Sequence, residues 1–111
     1  MEIRFADNEL KIPNTDWLNI QSVLNSFLNI DKVWLYGSRA KGTAKPYSDI
    51  DLALEGKNLT LEILNNIENA LDDLLLPYEF DICILHQIKN QDLLEHIHRV
   101  GKLVYEGRRA V

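Results

Sequence analysis

The sequence predicts a single α/β (α+β) domain in which helices cover a small mixed sheet. Apolar residues alternate in short runs, as in strands, and recur at helical spacing in longer ones. The predicted order is helix, strand, strand, helix, strand, helix, which is typical of such layered folds. A chain of 111 residues is long enough for one core and too short for two. We expect one domain over residues 1–111, with its core at about 16–105.

The first helix is predicted to begin near Asn14–Asp16, because these residue types cap helices, and to run to about Leu28. Its apolar stripe consists of Trp17, Ile20, Leu24, Phe27 and Leu28. Before this helix, residues 2–12 alternate only weakly in polarity. That segment is expected to form either a short hairpin or an extended arm.

The next two strands are predicted on either side of a short basic loop. Val33–Tyr36 has the composition of a buried strand that ends at Gly37, and Ser38–Lys41 is predicted to form a turn of helix. The second strand is predicted over Asp49–Leu54, with alternate side chains on opposite faces. The residues expected on its apolar face are Ile50, Leu52 and Leu54.

The second long helix is predicted to start after Thr60, which is a good capping residue, and to run to about Leu75, with Pro77 as its stop. Its inward residues should be Leu64, Ile67, Leu71 and Leu74. A third strand is predicted over Glu79–Leu85, where Phe80, Ile82 and Ile84 alternate with other residues.

A last helix is predicted from about Asn90 to Val100, with Leu93, Leu94 and Ile97 on its inner side. Gly101 suits a C-terminal cap, and Leu103–Tyr105 is expected to add a short edge strand. His96 and His98 are two residues apart on this helix and therefore do not share a face. We expect them to be surface or interface histidines rather than a pair of metal ligands.

Composition and charge exclude several classes of protein. The net charge of −5 argues against broad contact with DNA or RNA, which requires a basic face. No apolar run approaches the roughly 20 residues of a membrane span, and the N-terminus lacks the apolar segment of a signal peptide. The single Cys83 lies in an apolar run, which suits a small core residue in a reducing compartment. We expect a cytoplasmic protein with no membrane contact.

Two aspartates one residue apart are the most informative chemical feature. Asp49 and Asp51 should project from the same face of their strand. Carboxylates about 5 Å apart repel each other by roughly 3 kcal/mol at an effective dielectric constant near 20. A divalent cation between them would remove this cost. If the strand that carries Asp81 lies beside them, three carboxylates form the oxygen-rich environment that Mg²⁺ prefers.

The Gly37-Ser38 turn lies just after a predicted strand and suits phosphate binding. Its backbone N–H groups and its hydroxyl could interact with phosphate oxygens. Arg39 and Lys41 follow in the loop and are either phosphate contacts or ordinary solvated charges. Ser48 is expected to shape the turn before Asp49 rather than to touch a substrate.

The combination of these motifs resembles the nucleotidyltransferase domain of the DNA polymerase beta superfamily. The matching elements, in order, are Tyr36-Gly37-Ser38, the gap Arg39–Ser48, Asp49-Ile50-Asp51 and Asp81. The sequence is most similar to the stand-alone minimal nucleotidyltransferases called MNT proteins, over about Trp17–Tyr105. The resemblance implies the polymerase beta-like fold, a small mixed sheet covered by helices.

The resemblance also implies a function. Such proteins resemble the antitoxin half of a two-gene module whose partner is an all-helical HEPN-type ribonuclease toxin, and members of this class can transfer AMP from ATP to a tyrosine of that toxin. For this chain it implies Mg²⁺ or Mn²⁺ bound by Asp49, Asp51 and Asp81, which would be the catalytic residues. ATP or another NTP would bind through Gly37 and Ser38, with the two basic loop residues as further candidates.

Two other functions remain open from the sequence. The chain could be a non-catalytic nucleotide-binding module that inhibits its partner by occlusion. It could also be the catalytic subunit of a two-protein enzyme that modifies a small molecule. Three retained carboxylates favour catalysis over occlusion, since a decayed catalytic site usually loses one of them.

Overall fold

The computed structural model describes residues 10–107, which form one four-stranded sheet with helices on both of its faces. The strands are β1 (Lys32–Tyr36), β2 (Ile50–Glu55), β3 (Phe80–Ile84) and β4 (Lys102–Glu106). The helices are α1 (Asn14–Asn25), α2 (Gly37–Lys41), α3 (Leu61–Asp72) and α4 (Gln91–Val100), with a 3-10 turn at Leu85–Gln87. The element order confirms the predicted mixed fold.

The strand order is β3-β2-β1-β4, with β1 antiparallel to β2 and to β4. Strands β2 and β3 are parallel, and α3 connects them. Strand β4 lies at the edge of the sheet, as the sequence predicts for Leu103–Tyr105. The parallel β2–β3 pair is the part of the sheet that positions the predicted acidic residues.

The main core lies between the sheet and the α1–α3 pair. The predicted alternation of β2 is confirmed, because its three apolar residues are fully buried in this core. From the helices, the core includes Ile20, Leu24, Ile67 and Leu71. The opposite face of the sheet carries a smaller cluster of Tyr36, Ala53 and Ile97, against which α4 packs. Side chains that share the Ala53 face of β2 therefore project toward this smaller cluster.

Two helices end earlier than the sequence predicts. Helix α1 ends at Asn25 rather than at Leu28, whose side chain is 81% exposed. Helix α3 ends at Asp72 rather than at Leu75, which is 90% exposed and has a positive φ. In both cases the chain leaves the helix through i→i−3 backbone hydrogen bonds. These bonds tighten the last turn, so Pro77 is not what ends α3.

The predicted caps are partly confirmed. Thr60 accepts a hydrogen bond from the backbone N–H of Ile63, and Asn90 caps α4 in the same way. The cap expected for α1 is wrong, because Pro13 precedes the helix and Asp16 instead accepts a hydrogen bond from the Tyr78 hydroxyl. Gly101 does follow α4, but with extended rather than left-handed backbone angles.

The N-terminal segment is described only from Leu10 onward. Leu10 and Ile12 are both buried in the main core. The hairpin or arm predicted for residues 2–12 lies almost wholly outside the described residues. Within residues 10–107, none of the helices has the length and apolar character needed to cross a membrane.

Candidate active site

The parallel strands β2 and β3 bring two of the predicted carboxylates together. Asp51 lies directly opposite Asp81 in the register of the two strands. Paired positions in adjacent strands carry their side chains on the same face of the sheet. Asp49 comes immediately before β2, two residues from Asp51. The predicted neighbourhood of these two strands is therefore confirmed, and we call Asp49, Asp51 and Asp81 the acidic site.

Within the acidic site, Asp51 has the most unfavourable environment for negative charge. Its side chain is half-buried, whereas Asp49 and Asp81 are exposed. Burial raises the pKa of Asp51, and the negative charges of Asp81 and Asp49 raise it further. Arg39 opposes this effect. A partly buried carboxylate that repels two others is an environment that a bound cation would stabilise.

Within residues 10–107, no three His, Cys, Asp or Glu side chains are already arranged to hold a metal ion. The donor chemistry of the acidic site nevertheless fits a divalent cation, because all three groups supply carboxylate oxygens and the pKa of Asp51 rises with the charges of the other two. Mg²⁺ in proteins is commonly bound by one or two carboxylates, with substrate phosphates and waters completing its ligand set. Metal binding by these residues remains a prediction.

Without a divalent cation, Asp51→Asn should stabilise the protein. A carboxyl group whose pKa is raised by folding contributes stability below its unfolded pKa, and this contribution is lost as pH rises through the folded pKa. Asparagine cannot ionise, so the variant should melt on the order of a few degrees higher near neutral pH in EDTA. The difference should shrink as pH falls. Scanning calorimetry across pH measures this, with Asp73→Asn as an exposed control, and a lower Tm for Asp51→Asn at neutral pH would contradict the expectation.

Gly37 brings the backbone against the acidic site. It is the first residue of α2 and has a φ of 74°, a conformation that L side chains rarely adopt. A Cβ atom at this position would overlap Oδ2 of Asp51. Glycine therefore lets the backbone approach the carboxylate of Asp51. Ser38 follows in the same turn, and its carbonyl oxygen accepts the backbone N–H of Thr43 at 3.0 Å.

Gly37→Ala should therefore damage the acidic site as well as the fold. Positive φ alone costs roughly 1–2 kcal/mol for alanine, and the overlap with Asp51 adds to this. Gly42 is a matched control, because its φ is 80° but the space around its Cβ position is open. We expect Gly42→Ala to lose stability only, and Gly37→Ala to lose stability and also magnesium–nucleotide binding. Urea unfolding and titration calorimetry measure the two quantities, and equal effects of both variants would contradict the expectation.

His96 contacts the same glycine, which the sequence analysis did not predict. The backbone N–H of Gly37 donates a hydrogen bond to Nε2 of His96, with 3.1 Å between the nitrogens. The imidazole also packs edge-on against the ring of Tyr36. His96 is thus a half-buried histidine with two contacts, whereas His98 is exposed, as expected. The signal was its spacing, because it lies one helical turn after Leu93, which packs against the smaller cluster.

Arg39 is not available to a phosphate, which corrects its assignment as a phosphate contact. Its side chain is only 1% exposed, and its guanidinium stacks over the ring of Tyr78. The guanidinium donates hydrogen bonds to the carbonyl oxygens of Leu10, Lys11, Pro46 and Ser48. Arg39 therefore ties the N-terminal segment to the loop that leads into Asp49.

The remaining loop residues keep their predicted roles in part. Lys41 is exposed, and its charge helps to lower the pKa of His96, so it lies near the Gly37 turn. Its contact with phosphate remains a prediction. Ser48 shapes the turn before Asp49, as expected, because its hydroxyl accepts the backbone N–H of Lys45 at 2.9 Å.

Tyr36 and Cys83 lie next to the acidic site without being reactive groups. The Tyr36 hydroxyl and the Cys83 sulfur are 3.6 Å apart. Burial raises the pKa of both groups, and the charges of Asp81 and Asp51 raise them further. A thiol whose pKa is raised is mostly protonated at neutral pH. This agrees with the prediction that Cys83 is a packing residue and not a nucleophile.

Known proteins with similar sequence match most of the chain. The family described as Polymerase beta, Nucleotidyltransferase matches residues 18–110. A curated relative, the probable protein adenylyltransferase MntA of Haemophilus influenzae, is 28% identical over 104 residues, which cover 93% of this chain and 90% of that protein.

Solved structures share the fold. A chain of a toxin–antitoxin complex with AMP-PNP superposes with a TM-score of 0.67 and 21% identity, over 83% of this chain and 74% of that one. A chain of the complex between the tri-AMPylated HEPN toxin of Shewanella oneidensis and its MNT antitoxin gives a TM-score of 0.58 at 18% identity, over 82% and 72% of the two chains. Together with the family match, these likenesses confirm the predicted resemblance. The chain belongs to the polymerase beta nucleotidyltransferase family and is a transferase of that family.

Proposed function

We propose that this chain is a Mg²⁺-dependent protein adenylyltransferase that moves AMP from ATP to a hydroxyl of a helical HEPN-type protein and thereby acts as its antitoxin. The observation that carries the proposal is the position of Asp51, opposite Asp81 in the sheet and against the backbone of Gly37. This arrangement provides carboxylates for a cation next to a turn that can receive phosphate. ATP and a reducing environment are both available in the cytoplasm, where we propose that it acts.

The names of the similar proteins support the choice of nucleotide and acceptor. The relative from Haemophilus influenzae is named a probable protein adenylyltransferase. One structural neighbour is a toxin–antitoxin complex with AMP-PNP, an ATP analogue, and another contains an AMPylated HEPN toxin. We therefore propose ATP as the nucleotide and a HEPN-type protein as the acceptor.

The chain's own residues have distinct roles in the proposed reaction. Asp49, Asp51 and Asp81 would hold the divalent cation, which supplies positive charge for the phosphates when bound. The Gly37-Ser38 turn would orient the triphosphate so that the α-phosphorus faces the acceptor. Asp81 lies on the neighbouring strand β3, and as the third carboxylate it would accept the proton of the incoming hydroxyl.

The transfer balances as a single displacement. The acceptor oxygen forms a bond to the α-phosphorus while the bond from that phosphorus to the bridging oxygen breaks. The electron pair leaves with pyrophosphate, and the hydroxyl proton passes to a carboxylate or to water. No oxidant or further reactant is required.

The test is intact-mass spectrometry of a separately purified HEPN-type partner after incubation with this protein, ATP and Mg²⁺. We expect the partner to gain the mass of one or more adenylyl groups and to lose its ribonuclease activity. EDTA should prevent the gain. If the partner is silenced without any gain in mass, inhibition by occlusion replaces the proposal. If only a small molecule is modified, the chain is instead the catalytic subunit of a two-protein enzyme.

A further inference from the structure

We propose that His96 competes with bound nucleotide for the backbone N–H of Gly37. In the nucleotide-free protein this N–H donates to His96, and the hydrogen bond must break when a triphosphate binds. His96 would thus set nucleotide affinity by competing for this N–H group. The inference rests on the proposed function, because it concerns the same nucleotide site. It adds a residue that the family motif of Gly37-Ser38 and Asp49-Ile50-Asp51 does not contain.

The imidazole is held in position by two independent contacts. It accepts the hydrogen bond from Gly37, which is 59 residues away in sequence. Its ring also meets the ring of Tyr36 edge-on, with 6.1 Å between centroids and an interplanar angle of 81°. Helices α2 and α4 pack against each other, so the backbone holds the two partners together. The contact is therefore part of the folded arrangement of α4 on the sheet.

This contact competes with a phosphate for the same donor. A backbone amide has one proton, so its hydrogen bond to Nε2 weakens any hydrogen bond to a phosphate oxygen. To accept this proton, Nε2 must be unprotonated, so the imidazole is neutral and carries its single proton on Nδ1. Burial lowers the pKa of His96, as do the nearby charges of Lys41 and Arg99, which supports the neutral form. A phosphate that uses the amide must therefore displace the ring.

His98 is a control residue for this role of His96. It lies two residues further along α4, on a different face, and its side chain is exposed. It carries the same chemistry on the same helix, so it provides a matched control. If substitution of a histidine acts only through the charge or helix propensity of α4, replacing His96 and replacing His98 should change nucleotide affinity equally.

The test compares wild type with His96→Ala and His98→Ala by titration calorimetry with AMP-PNP and Mg²⁺. Alanine removes the competing acceptor and is the best helix former, so α4 should remain intact. One hydrogen bond contributes about 0.5–1.5 kcal/mol net. His96→Ala should therefore bind about 2- to 10-fold more tightly than wild type, with His98→Ala unchanged.

A second variant and a second measurement guard against an indirect effect. His96→Gln keeps an acceptor and should bind closer to wild type than His96→Ala does. The NMR resonance of the Gly37 amide should shift in His96→Ala and in wild type saturated with nucleotide, but not in His98→Ala. An unchanged resonance in His96→Ala would mean that the contact does not exist in solution and would overturn the inference.

Failure of the inference differs from failure of the proposed function. If all three proteins bind the nucleotide equally, or if His96→Ala binds more weakly, the inference is wrong while the proposed function stands. If none binds, both are wrong. Binding by His96→Ala where wild type shows none would support the inference most directly.

Discussion

Replacing Asp49 and Asp51 together with asparagine is expected to lower AMP transfer by about 100-fold or more while the complex with the helical partner persists. Removal of one electrostatic stabiliser of a transition state commonly costs about 100- to 1,000-fold in rate. The double change keeps the shape of both side chains and removes two of the three negative charges of the acidic site. Intact-mass spectrometry of the partner over time measures transfer, and co-purification measures binding.

The matched control is Asp72→Asn with Asp73→Asn. These exposed residues lie at the end of α3, which packs on the opposite face of the sheet, so the control removes the same net charge away from the acidic site. We expect it to transfer AMP at the wild-type rate. Equal loss in both double variants would point to net charge rather than to the acidic site. Full transfer by the Asp49 and Asp51 variant would rule out their catalytic role.

Local sequence pattern was sufficient for the order of the elements but not for their ends. The alternation of Ile50, Leu52 and Leu54 predicts β2 correctly, because apolar residues on one face of a strand must be buried. Leu28 and Leu75 continue the apolar pattern of their helices yet lie outside them, exposed. The chain had already left each helix through tighter turns, and sequence periodicity does not report on such hydrogen bonds.

The parts of the candidate site that come from residues close in sequence could be predicted. Contacts between residues far apart in sequence could not. Gly37 and Asp51 belong to a motif whose spacing can be recognised within residues 37–51. The pairing of Asp51 with Asp81 requires β2 and β3 to be neighbours in the sheet. The sequence does not reveal strand order, so this pairing could be predicted only if that arrangement was assumed. The contact of His96 joins residues 59 apart, and that distance hides it from any local pattern.

Arg39 is a further example, since the sequence shows a basic loop residue and the structure shows a buried one. A surface cation and a buried organising cation have the same sequence signature when the partners are backbone carbonyls, which every residue possesses. Two of its acceptors lie in the segment before α1, far from the loop in sequence. Its role therefore has to be tested through stability rather than through ligand binding alone.

Arg39→Met is expected to lower the free energy of unfolding by about 3–5 kcal/mol. Methionine fills similar space but donates no hydrogen bonds, so four buried or partly buried carbonyl oxygens lose their partner. Arg39→Lys keeps the charge with fewer donors in a different geometry, and it should lose an intermediate amount. Urea unfolding followed by circular dichroism measures all three proteins.

Lys41→Met is the matched control, because Lys41 is exposed on the same short helix and should change stability by no more than about 0.5 kcal/mol. The pair separates the two roles that the sequence left open for Arg39. A phosphate contact would lose nucleotide affinity at unchanged stability. An organising residue loses stability first, and it weakens nucleotide binding only because Ser48, and hence Asp49, is no longer held in place. If Arg39→Met is as stable as wild type, the structural role is wrong and Arg39 is again a candidate phosphate contact.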